Sequence, residues 1–228
     1  MYPYFITSTK PPVFPDNLIP DDTGLVALGG DLSVPTLIEA YSKGIFPWSG
    51  EEPIPWYSPD PRLVLFPQDF YLSKRMKRLL KSDKYKIIFD ADFTEIMKKC
   101  ATTKRKNQEG TWINDNLINA YTKLYDLHIA HCIGVYQDNV LCGGLYGLCI
   151  GKCFFGESMF SEIPNSSKIA LYYLTQYSIK HHIFFIDCQQ VTPHMLRMGA
   201  LPLPRTIYLA LLQKYKDIQV NTSPWEYP

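Results

Sequence analysis

The sequence predicts an α+β (mixed α/β) fold, in which a small, loop-rich N-terminal domain over residues 1–63 precedes a larger domain over residues 64–228. Two observations lead to this prediction. Pro, Gly and Trp crowd the first part of the chain, and strand-like patterns are followed by amphipathic helical patterns in the rest. A hydrophobic content of 46% provides ample material for a well-buried core.

The N-terminal domain contains one clear helix. Ser33 can cap "VPTLIEAYSK", Pro35 is tolerated in its first turn, and Gly44 can end it. Aromatic and aliphatic residues are interleaved throughout this domain, which indicates a compact unit rather than a disordered one. The following "GIFPWS" is expected to form a rigid loop.

A strand and two basic helices are predicted next. "RLVLF" has the pattern of a short strand, and Met76, Leu79 and Leu80 fall on one face of a helix in "YLSKRMKRLLKS". Asp92 and Glu95 have capping-box spacing at the start of a second helix, "DADFTEIMKKC". The loop "TTKRKNQEGTW" adds further positive charge.

The rest of the larger domain is predicted as helix, strand meander, long helix, strand and helix. "INDNLINAYTKLYDLHI" has helical spacing, and consecutive strands follow with a turn at Asp138 and Asn139. "NSSKIALYYLTQYSIKHH" is a helix capped by Asn165 or Ser166, "IFFIDCQ" a buried strand, and "PRTIYLALLQKYK" a closing helix.

This order of elements also suggests an acyltransferase that uses acetyl-CoA. In such enzymes a strand leads into a helix whose N-terminal amides hold the pyrophosphate. The corresponding junction, "GESMFSEIPNSSK", lacks a Gly-rich loop and carries Glu157 and Glu162, which would repel an anion. The residues therefore disfavour CoA.

Composition excludes other classes. No apolar run approaches the roughly 18 to 20 residues of a membrane span, and the start of the chain lacks a basic region followed by an apolar stretch. We therefore expect a cytoplasmic protein. Its six cysteines show no CxxC spacing, which is typical of reduced, mostly buried thiols, and its five histidines have no metal-site spacing.

The positive charge is concentrated in one segment. From Ser73 to Lys106 there are twelve Lys or Arg against four Asp or Glu, whereas residues 1–69 carry three basic and nine acidic residues. A solvated face is the usual explanation for such a run. Two basic elements could also follow a phosphate backbone, and Trp48, Trp56 and Tyr57 lie on loops from which a ring could stack on a base.

Asp187 and Gln189 are candidates for a polar site. If "FIDCQQ" is extended, these two residues share one face and Cys188 points to the other, into the core. A nucleophilic Cys188 is therefore not expected. An unpaired carboxylate at the end of an apolar strand is costly to bury, so Asp187 should be hydrogen-bonded or lie in a cleft. A structural role and a functional role both remain open.

A series of motifs occurs in one order along the chain: "GLVALGGDLS", "AYSKGIFPWS", "WYSPDPRLVLFP", "TWI", "AHCIGVY", "GGLYG", "FFGESMFS", "NSSKIAL", "IDCQ" and "TPHMLRMGA". Together they resemble the leucyl/phenylalanyl-tRNA–protein transferase family, over nearly the whole chain from about Phe14 to Leu212.

The resemblance implies an enzyme that takes Leu or Phe from aminoacyl-tRNA and joins it to the α-amino group of proteins with N-terminal Arg or Lys. The product carries a destabilising N-terminus that marks the protein for degradation. The implied fold is a small N-terminal domain plus an acetyltransferase-like (GNAT-type) C-terminal domain. No metal, CoA or other cofactor is implied, and we expect a monomer.

The same resemblance implies a pocket for the aminoacyl group. Glu157 and Met159 of "FGESMF" would belong to it, with Leu145 and Leu174 nearby. Met159 can shape a slot that rejects side chains branched at Cβ, and Glu157 can interact with the aminoacyl ammonium group. Two tryptophans, Trp48 and Trp112, match residues suited to holding the terminal adenosine.

The incoming peptide would meet Asp187 and Gln189, with Asp187 orienting groups and Gln189 positioning the amine or relaying its proton. Gln is a weak base, so a role as general base is doubtful on physical grounds. Selection for N-terminal Arg or Lys requires a nearby acid, and Asp187, Glu157 and Glu162 are the candidates.

Five basic residues of the first basic helix are predicted to hold the tRNA acceptor stem without reading its sequence: Lys74, Arg75, Lys77, Arg78 and Lys81. Two rival functions remain. One is a CoA-dependent small-molecule N-acyltransferase, and the other is a non-enzymatic RNA-binding module in which Asp187 and Gln189 are structural.

Overall fold

A computed structural model describes residues 3–7, 10–11, 13–103, 111–218 and 224–227. The predicted basic loop at residues 104–106 lies outside these ranges. Within them, no helix has both the length and the apolar character needed to cross a membrane. The cysteines are all free; five are buried and Cys188 is partly exposed, which confirms the prediction of unpaired, mostly buried thiols.

The N-terminal region contains a four-stranded sheet rather than loops alone. Its strands are short and were not predicted; they are β1 (Tyr4–Ile6), β2 (Leu25–Gly29), β3 (Phe46–Pro47) and β4 (Pro55–Tyr57), in the order β1-β2-β4-β3. The β1 and β2 strands are parallel, and the other pairs are antiparallel. Pro and Gly between these strands keep each one short, which explains why period-2 alternation was invisible in the sequence.

The predicted helix of this region is confirmed as α1 (Val34–Ser42), which begins after Ser33 and has Pro35 in its first turn. The chain then turns at Gly44, whose φ of 71° favours glycine. A Cβ atom there would lie 2.8 Å from the Tyr208 ring, so this turn also needs glycine for close approach to the C-terminal part of the chain.

The larger sheet has seven strands in the order β11-β5-β10-β9-β8-β7-β6. They are β5 (Arg62–Leu65), β6 (Lys86–Phe89), β7 (Ala130–Gln137), β8 (Val140–Ile150), β9 (Cys153–Ser161), β10 (Phe185–Asp187) and β11 (Leu201–Leu203). The β9 and β10 strands are parallel, and every other neighbouring pair is antiparallel. Strand β5 begins at Arg62, so it spans the predicted domain boundary between residues 63 and 64. The division into two domains stays a prediction.

The predicted meander is confirmed, and its turn has the predicted chemistry. Asp138 and Asn139 join β7 to β8 with φ values of 51° and 60°, as a two-residue hairpin turn requires. Further along β8, Gly143 lies against Ser166, where an added Cβ atom would come within 2.3 Å of the serine side chain. This close contact packs the first turn of the long helix, which begins at Ser166, directly against the sheet.

Helices cover both faces of the larger sheet. They are α2 (Lys74–Leu80), α3 (Phe93–Thr102), α4 (Asp115–Asp126), α5 (Ser166–Lys180), α6 (Pro193–Leu196) and α7 (Arg205–Tyr215). One apolar core contains side chains from α1, α3, α4 and α7, and a second contains side chains from α2, α5 and α6. This arrangement confirms the predicted mixed α/β class.

Three predicted helix caps differ from the structure. Ser33 precedes α1 in an extended conformation, but its side chain makes no cap and donates to the Thr36 hydroxyl instead. Asp92 precedes α3 in the left-handed conformation, with a φ of 54°, and makes no side-chain cap. Its carboxylate instead accepts a hydrogen bond from the Tyr136 hydroxyl on β7. The capping box was therefore wrong, because a tertiary partner competes with the local backbone for the carboxylate. Asn165 precedes α5 with a φ of 75° and also makes no side-chain cap.

Candidate active site

A cavity of about 550 Å³ opens between β8, β9, α5 and the segment that follows β10. Its walls include all eight residues that the sequence analysis assigned to catalysis or substrate binding: Trp48, Trp112, Leu145, Glu157, Met159, Leu174, Asp187 and Gln189. The fold thus brings together residues that are far apart along the chain. The roles of these residues stay predictions.

One end of the cavity is apolar. Leu145 of β8 lies directly opposite Met159 of β9 in the antiparallel register, and Leu174 of α5 is buried beside them. Leu171 and Met195 also line the cavity, although the sequence analysis did not single them out. An apolar slot of this kind excludes water and accepts a hydrocarbon or aromatic side chain.

The two tryptophans lie where the cavity meets a smaller one of about 180 Å³. Trp48 and Trp112 line both cavities, together with Glu157 and Gln189. Trp48 packs on Tyr57, with ring centroids 5.3 Å apart. These rings provide a partly exposed aromatic wall next to the polar residues.

The Asp187 carboxylate is fully buried and paired with Arg62 on the adjacent strand β5. The guanidinium donates from Nε to Oδ1 at 2.8 Å and from Nη2 to Oδ2 at 2.6 Å. Tyr208 of α7 donates to Oδ2 at 2.8 Å, and the backbone N–H of Gln189 donates to Oδ1 at 2.9 Å. The expectation that Asp187 is hydrogen-bonded is confirmed.

Arg62 also joins the N-terminal region to the larger sheet. Its Nη1 donates to the carbonyl oxygen of Gly44 at 3.2 Å, and its guanidinium lies between the rings of Phe46 and Tyr208, at 4.8 and 4.6 Å from their centroids. Burial opposes the charge of Arg62, but the Asp187 carboxylate raises its pKa above the usual value. The buried cation is therefore fully paired, and neither Asp187 oxygen is left without a donor.

Glu157 of β9 faces a different set of partners. The Tyr41 hydroxyl donates to Oε1 at 2.6 Å, the Tyr121 hydroxyl lies 3.2 Å from Oε2, and the amide nitrogen of Gln189 donates to Oε1 at 2.8 Å. The two tyrosine hydroxyls also contact each other. Burial raises the pKa of Glu157 to about 7, although the two hydroxyls act in the opposite direction.

The prediction for Cys188 was partly wrong. Strand β10 ends at Asp187, and Gln189 has a φ of 61°, so the alternation of faces does not continue through Cys188. Cys188 is partly exposed and lines the cavity instead of lying wholly in the core. Burial raises the pKa of its thiol well above the usual value, which disfavours the nucleophilic thiolate.

Glu162 lies away from the cavity wall and forms an ion pair with Lys99 of α3 at 2.6 Å. Sequence reasoning missed Arg62, Tyr41, Tyr121 and Tyr208, which hold the two cavity carboxylates. A signal for Arg62 was present, because an arginine that opens an apolar strand needs a buried partner. The tyrosines carry no such signal, since each falls in an ordinary apolar helical pattern.

The basic residues of α2 form an exposed face, and all five that were predicted to bind tRNA are exposed. Lys77 and Lys81 line a groove with Lys180 and with tyrosines that include Tyr172 and Tyr173. Because α5 supplies Leu174 to the cavity and these tyrosines to the groove, the two sites lie on different sides of one helix. Among the residues with described positions, no group of three or more His, Cys, Asp or Glu could hold a metal ion.

Similar solved structures overlap this chain in part. A GCN5-related N-acetyltransferase from Kribbella flavida is 11% identical with a TM-score of 0.35, covering 71% of this chain and 57% of that chain. An aminoglycoside acetyltransferase from an uncultured soil metagenomic sample is 14% identical with a TM-score of 0.37, covering 61% of this chain and 95% of that chain.

Curated relatives match over most of their length. A leucyl/phenylalanyl-tRNA–protein transferase of Thermodesulfovibrio yellowstonii is 43% identical over 94% of this chain and 88% of its own. One of Nitrosomonas eutropha is 46% identical over 91% of this chain and 88% of its own. The family model described as leucyl/phenylalanyl-tRNA protein transferase matches residues 64–213, and the model of its N-terminal domain matches residues 30–60. The chain therefore belongs to the leucyl/phenylalanyl-tRNA–protein transferase family.

Proposed function

We propose that this aminoacyltransferase moves Leu or Phe from aminoacyl-tRNA to the α-amino group of proteins that begin with Arg or Lys, and that the reaction occurs in the 550 Å³ cavity. The observation that carries the proposal is the junction within that cavity of an apolar slot and a polar edge. The slot suits the transferred side chain, and the polar edge suits the two reacting groups. The relatives named above support the reaction class.

The apolar end of the cavity receives the aminoacyl side chain. Leu145, Met159 and Leu174 form its wall, and none of them can donate a strong hydrogen bond to a polar side chain. A flexible thioether adapts to either Leu or Phe. Side chains branched at Cβ would crowd the entrance, which gives discrimination of about 1 to 3 kcal/mol.

The aromatic wall receives the terminal adenosine of the tRNA. Trp48 and Trp112 border both cavities, so a base stacked there would leave its ribose and the aminoacyl ester near Glu157 and Gln189. Stacking on an aromatic ring recognises an unpaired base without reading a duplex.

The chemical step needs alignment more than a strong base. The amine nitrogen of the acceptor forms a bond to the ester carbonyl carbon, the bond to the ribose oxygen breaks, and the proton lost by nitrogen balances the one gained by that oxygen. Gln189 positions the amine, whereas Asp187 acts through Arg62 and the Gln189 backbone because its oxygens are already hydrogen-bonded. Proximity then supplies much of the rate.

Selection for N-terminal Arg or Lys falls to Glu157 among the three candidate acids. Asp187 is paired with Arg62, and Glu162 is paired with Lys99 away from the cavity. Of the three, Glu157 is the one that lines the cavity with a carboxyl group for which no described residue is a cationic partner within ion-pair distance. We propose that it faces the cationic end of the acceptor.

The exposed face of α2 binds the tRNA backbone. Its residues Lys74, Arg75, Lys77 and Arg78 are accessible, as is Lys81 directly after it, and the groove beside it adjoins the helix that lines the cavity. A helix is about 10 Å wide, so the 3′ end of a tRNA held on this face has a short distance to cover. The monomeric state and the cytoplasmic location stay predictions of the sequence.

Transfer of labelled leucine and phenylalanine from charged tRNA tests the function. The acceptors are peptides that differ only in an N-terminal Arg, Lys or Ala, and Glu157→Ala is assayed alongside. We expect transfer to Arg and Lys peptides but not to Ala peptides, and a weaker preference for cationic peptides in the variant. Equal transfer to all three peptides would overturn the proposed specificity, and no transfer to any would overturn the reaction.

A further inference from the structure

Three buried side chains on three different elements meet in pairwise contact. Glu157 of β9 contacts the hydroxyl of Tyr41 from α1 at 2.6 Å and that of Tyr121 from α4 at 3.2 Å, and the two hydroxyls contact each other. The tyrosines are each 1% exposed and Glu157 is 8% exposed. We call these three residues the tyrosine–glutamate ring.

A count of protons distinguishes the two forms of Glu157. Each of the three contacts needs one proton between its two oxygens. If Glu157 is a carboxylate, the two tyrosines supply only two protons, and one contact places lone pair against lone pair. If Glu157 is a carboxylic acid, three protons serve three contacts. Buried polar atoms that face each other without a proton are destabilising, so the geometry favours the acid.

The direction of each bond in the neutral ring is then fixed. Glu157 Oε1 already accepts from the Gln189 amide and from Tyr41, which is the pattern of a carbonyl oxygen. The acid proton therefore lies on Oε2 and points to Tyr121, and Tyr121 donates to Tyr41. Each of the three hydroxyl protons of the ring is then donated to one neighbouring oxygen.

The other charged or titratable groups near the ring do not reverse this preference. Among the residues that the structure describes, they are Asp187 of β10, Arg62 of β5 and Tyr146 of β8. Asp187 favours the neutral acid and Arg62 favours the carboxylate, and because these two form an ion pair with each other their effects oppose. Burial acts in the same direction as the proton count, since it raises the pKa of Glu157 to about 7.

We propose that Glu157 carries a proton in the resting protein, and that Tyr41 and Tyr121 are positioning residues that hold this neutral acid in a closed ring so that it fixes the Gln189 side chain. The Gln189 amide nitrogen donates to Glu157 at 2.8 Å. Its carbonyl oxygen is then the atom that Gln189 offers to the cavity, where it can accept from an amine.

This inference rests on the proposed function in one respect, the effect of a fixed Gln189 side chain on the transfer reaction. A fixed carbonyl oxygen orients the acceptor amine toward the ester, while the opposite orientation of the amide would present a donor and repel the amine N–H groups. A neutral Glu157 also leaves the cavity edge without a free charge until a cationic acceptor arrives. The approach of that cation favours the carboxylate and the proton leaves to solvent, while Oε1 still accepts from the Gln189 amide, so the orientation set in the resting protein is kept.

The protonation state is measured without any substrate. We would record infrared difference spectra of the whole protein in D₂O, wild type minus Glu157→Gln, over a range of pH. The expected result is a carbonyl band of a protonated carboxylic acid below neutral pH, which disappears as the pH is raised through neutrality. A carboxylate band alone at pH 6 would overturn the proposal.

The positioning role is measured on the Gln189 side chain. We would follow hydrogen exchange of its side-chain amide protons by NMR in the wild type, in Tyr121→Phe and in a control, Tyr125→Phe. The control removes a hydroxyl from the same helix, but that hydroxyl donates to the Asp90 carbonyl oxygen and not to the ring. We expect exchange to rise roughly tenfold in Tyr121→Phe, the effect of one lost buried hydrogen bond, and to stay unchanged in the control. Equal exchange in all three would overturn the positioning role.

Transfer assays separate this inference from the proposed function. Tyr121→Phe removes one hydroxyl of the ring and should lower kcat roughly tenfold with little change in the KM for the peptide, whereas the control Tyr125→Phe should leave both unchanged. A kcat of Tyr121→Phe equal to that of Tyr125→Phe would overturn the positioning role. If the wild type shows the infrared band but transfers nothing, the ring stands and the proposed function fails.

Discussion

Removing the Asp187 carboxylate should destabilise the whole protein. In Asp187→Ala, the fully buried Arg62 guanidinium loses both of its carboxylate contacts, and the Tyr208 hydroxyl and the Gln189 N–H lose their acceptor. Among the described residues, Arg62 would keep only the Gly44 carbonyl, the Tyr208 hydroxyl and the two flanking rings. Leaving one charge of a buried pair uncompensated costs about 3 to 5 kcal/mol, a large part of the roughly 5 to 15 kcal/mol that stabilises a typical domain.

Urea unfolding monitored by tryptophan fluorescence measures this loss. The control is Lys99→Ala, which breaks the partly exposed ion pair with Glu162 and should change the free energy of unfolding by less than about 1 kcal/mol. The double variant Arg62→Met/Asp187→Ala removes both buried charges. Its loss in the free energy of unfolding should therefore be smaller than the sum of the losses in the two single variants, by about 1 to 3 kcal/mol.

The result that would refute this reasoning is an Asp187→Ala protein no less stable than Lys99→Ala. The prediction also affects how activity is interpreted. If part of the protein is unfolded at the assay temperature, a loss of transfer in Asp187→Ala would reflect the broken ion pair and the lower amount of folded protein. It would not show that Asp187 takes part in the reaction. Activity of Asp187 variants should therefore be compared at a matched folded fraction.

Three further predictions concern pH, tRNA and the apolar slot. The pKa of Glu157 in the folded protein, about 7, is above its usual 4.5, so between these pH values the folded protein binds a proton that the unfolded chain does not. The free energy of unfolding should therefore fall by up to about 3 kcal/mol as the pH rises through this range. Denaturation of Glu157→Gln should lack this fall, and identical pH profiles would contradict the assignment. Charge reversal at Arg75 and Arg78 should weaken tRNA binding and reduce its salt slope by about one unit per lost contact, whereas unchanged slopes would make α2 an ordinary solvated face. Met159→Ala should widen the slot and reduce discrimination against side chains branched at Cβ by about 1 to 3 kcal/mol in kcat/KM, and undiminished discrimination would remove Met159 from the slot.

Local patterns were sufficient wherever a backbone preference decided the structure. Pro35 and Gly44 mark the two ends of the first helix because each favours the backbone conformation found there. Asp138 and Asn139 form the hairpin turn because both tolerate positive φ. The short N-terminal strands were missed, since strands of two to five residues show no measurable alternation.

The sequence by itself determined the class of fold, the exposed basic helix, and, through resemblance, the residues that line the cavity. Only the tertiary structure decided what the two carboxyl groups do. Asp187 meets Arg62 across 125 positions, and Glu157 meets Tyr41 across 116. Such contacts depend on strand order and helix packing, which no local pattern encodes. A carboxyl group's charge and freedom follow from its neighbours, so the chemistry of this site was fixed only when the chain folded.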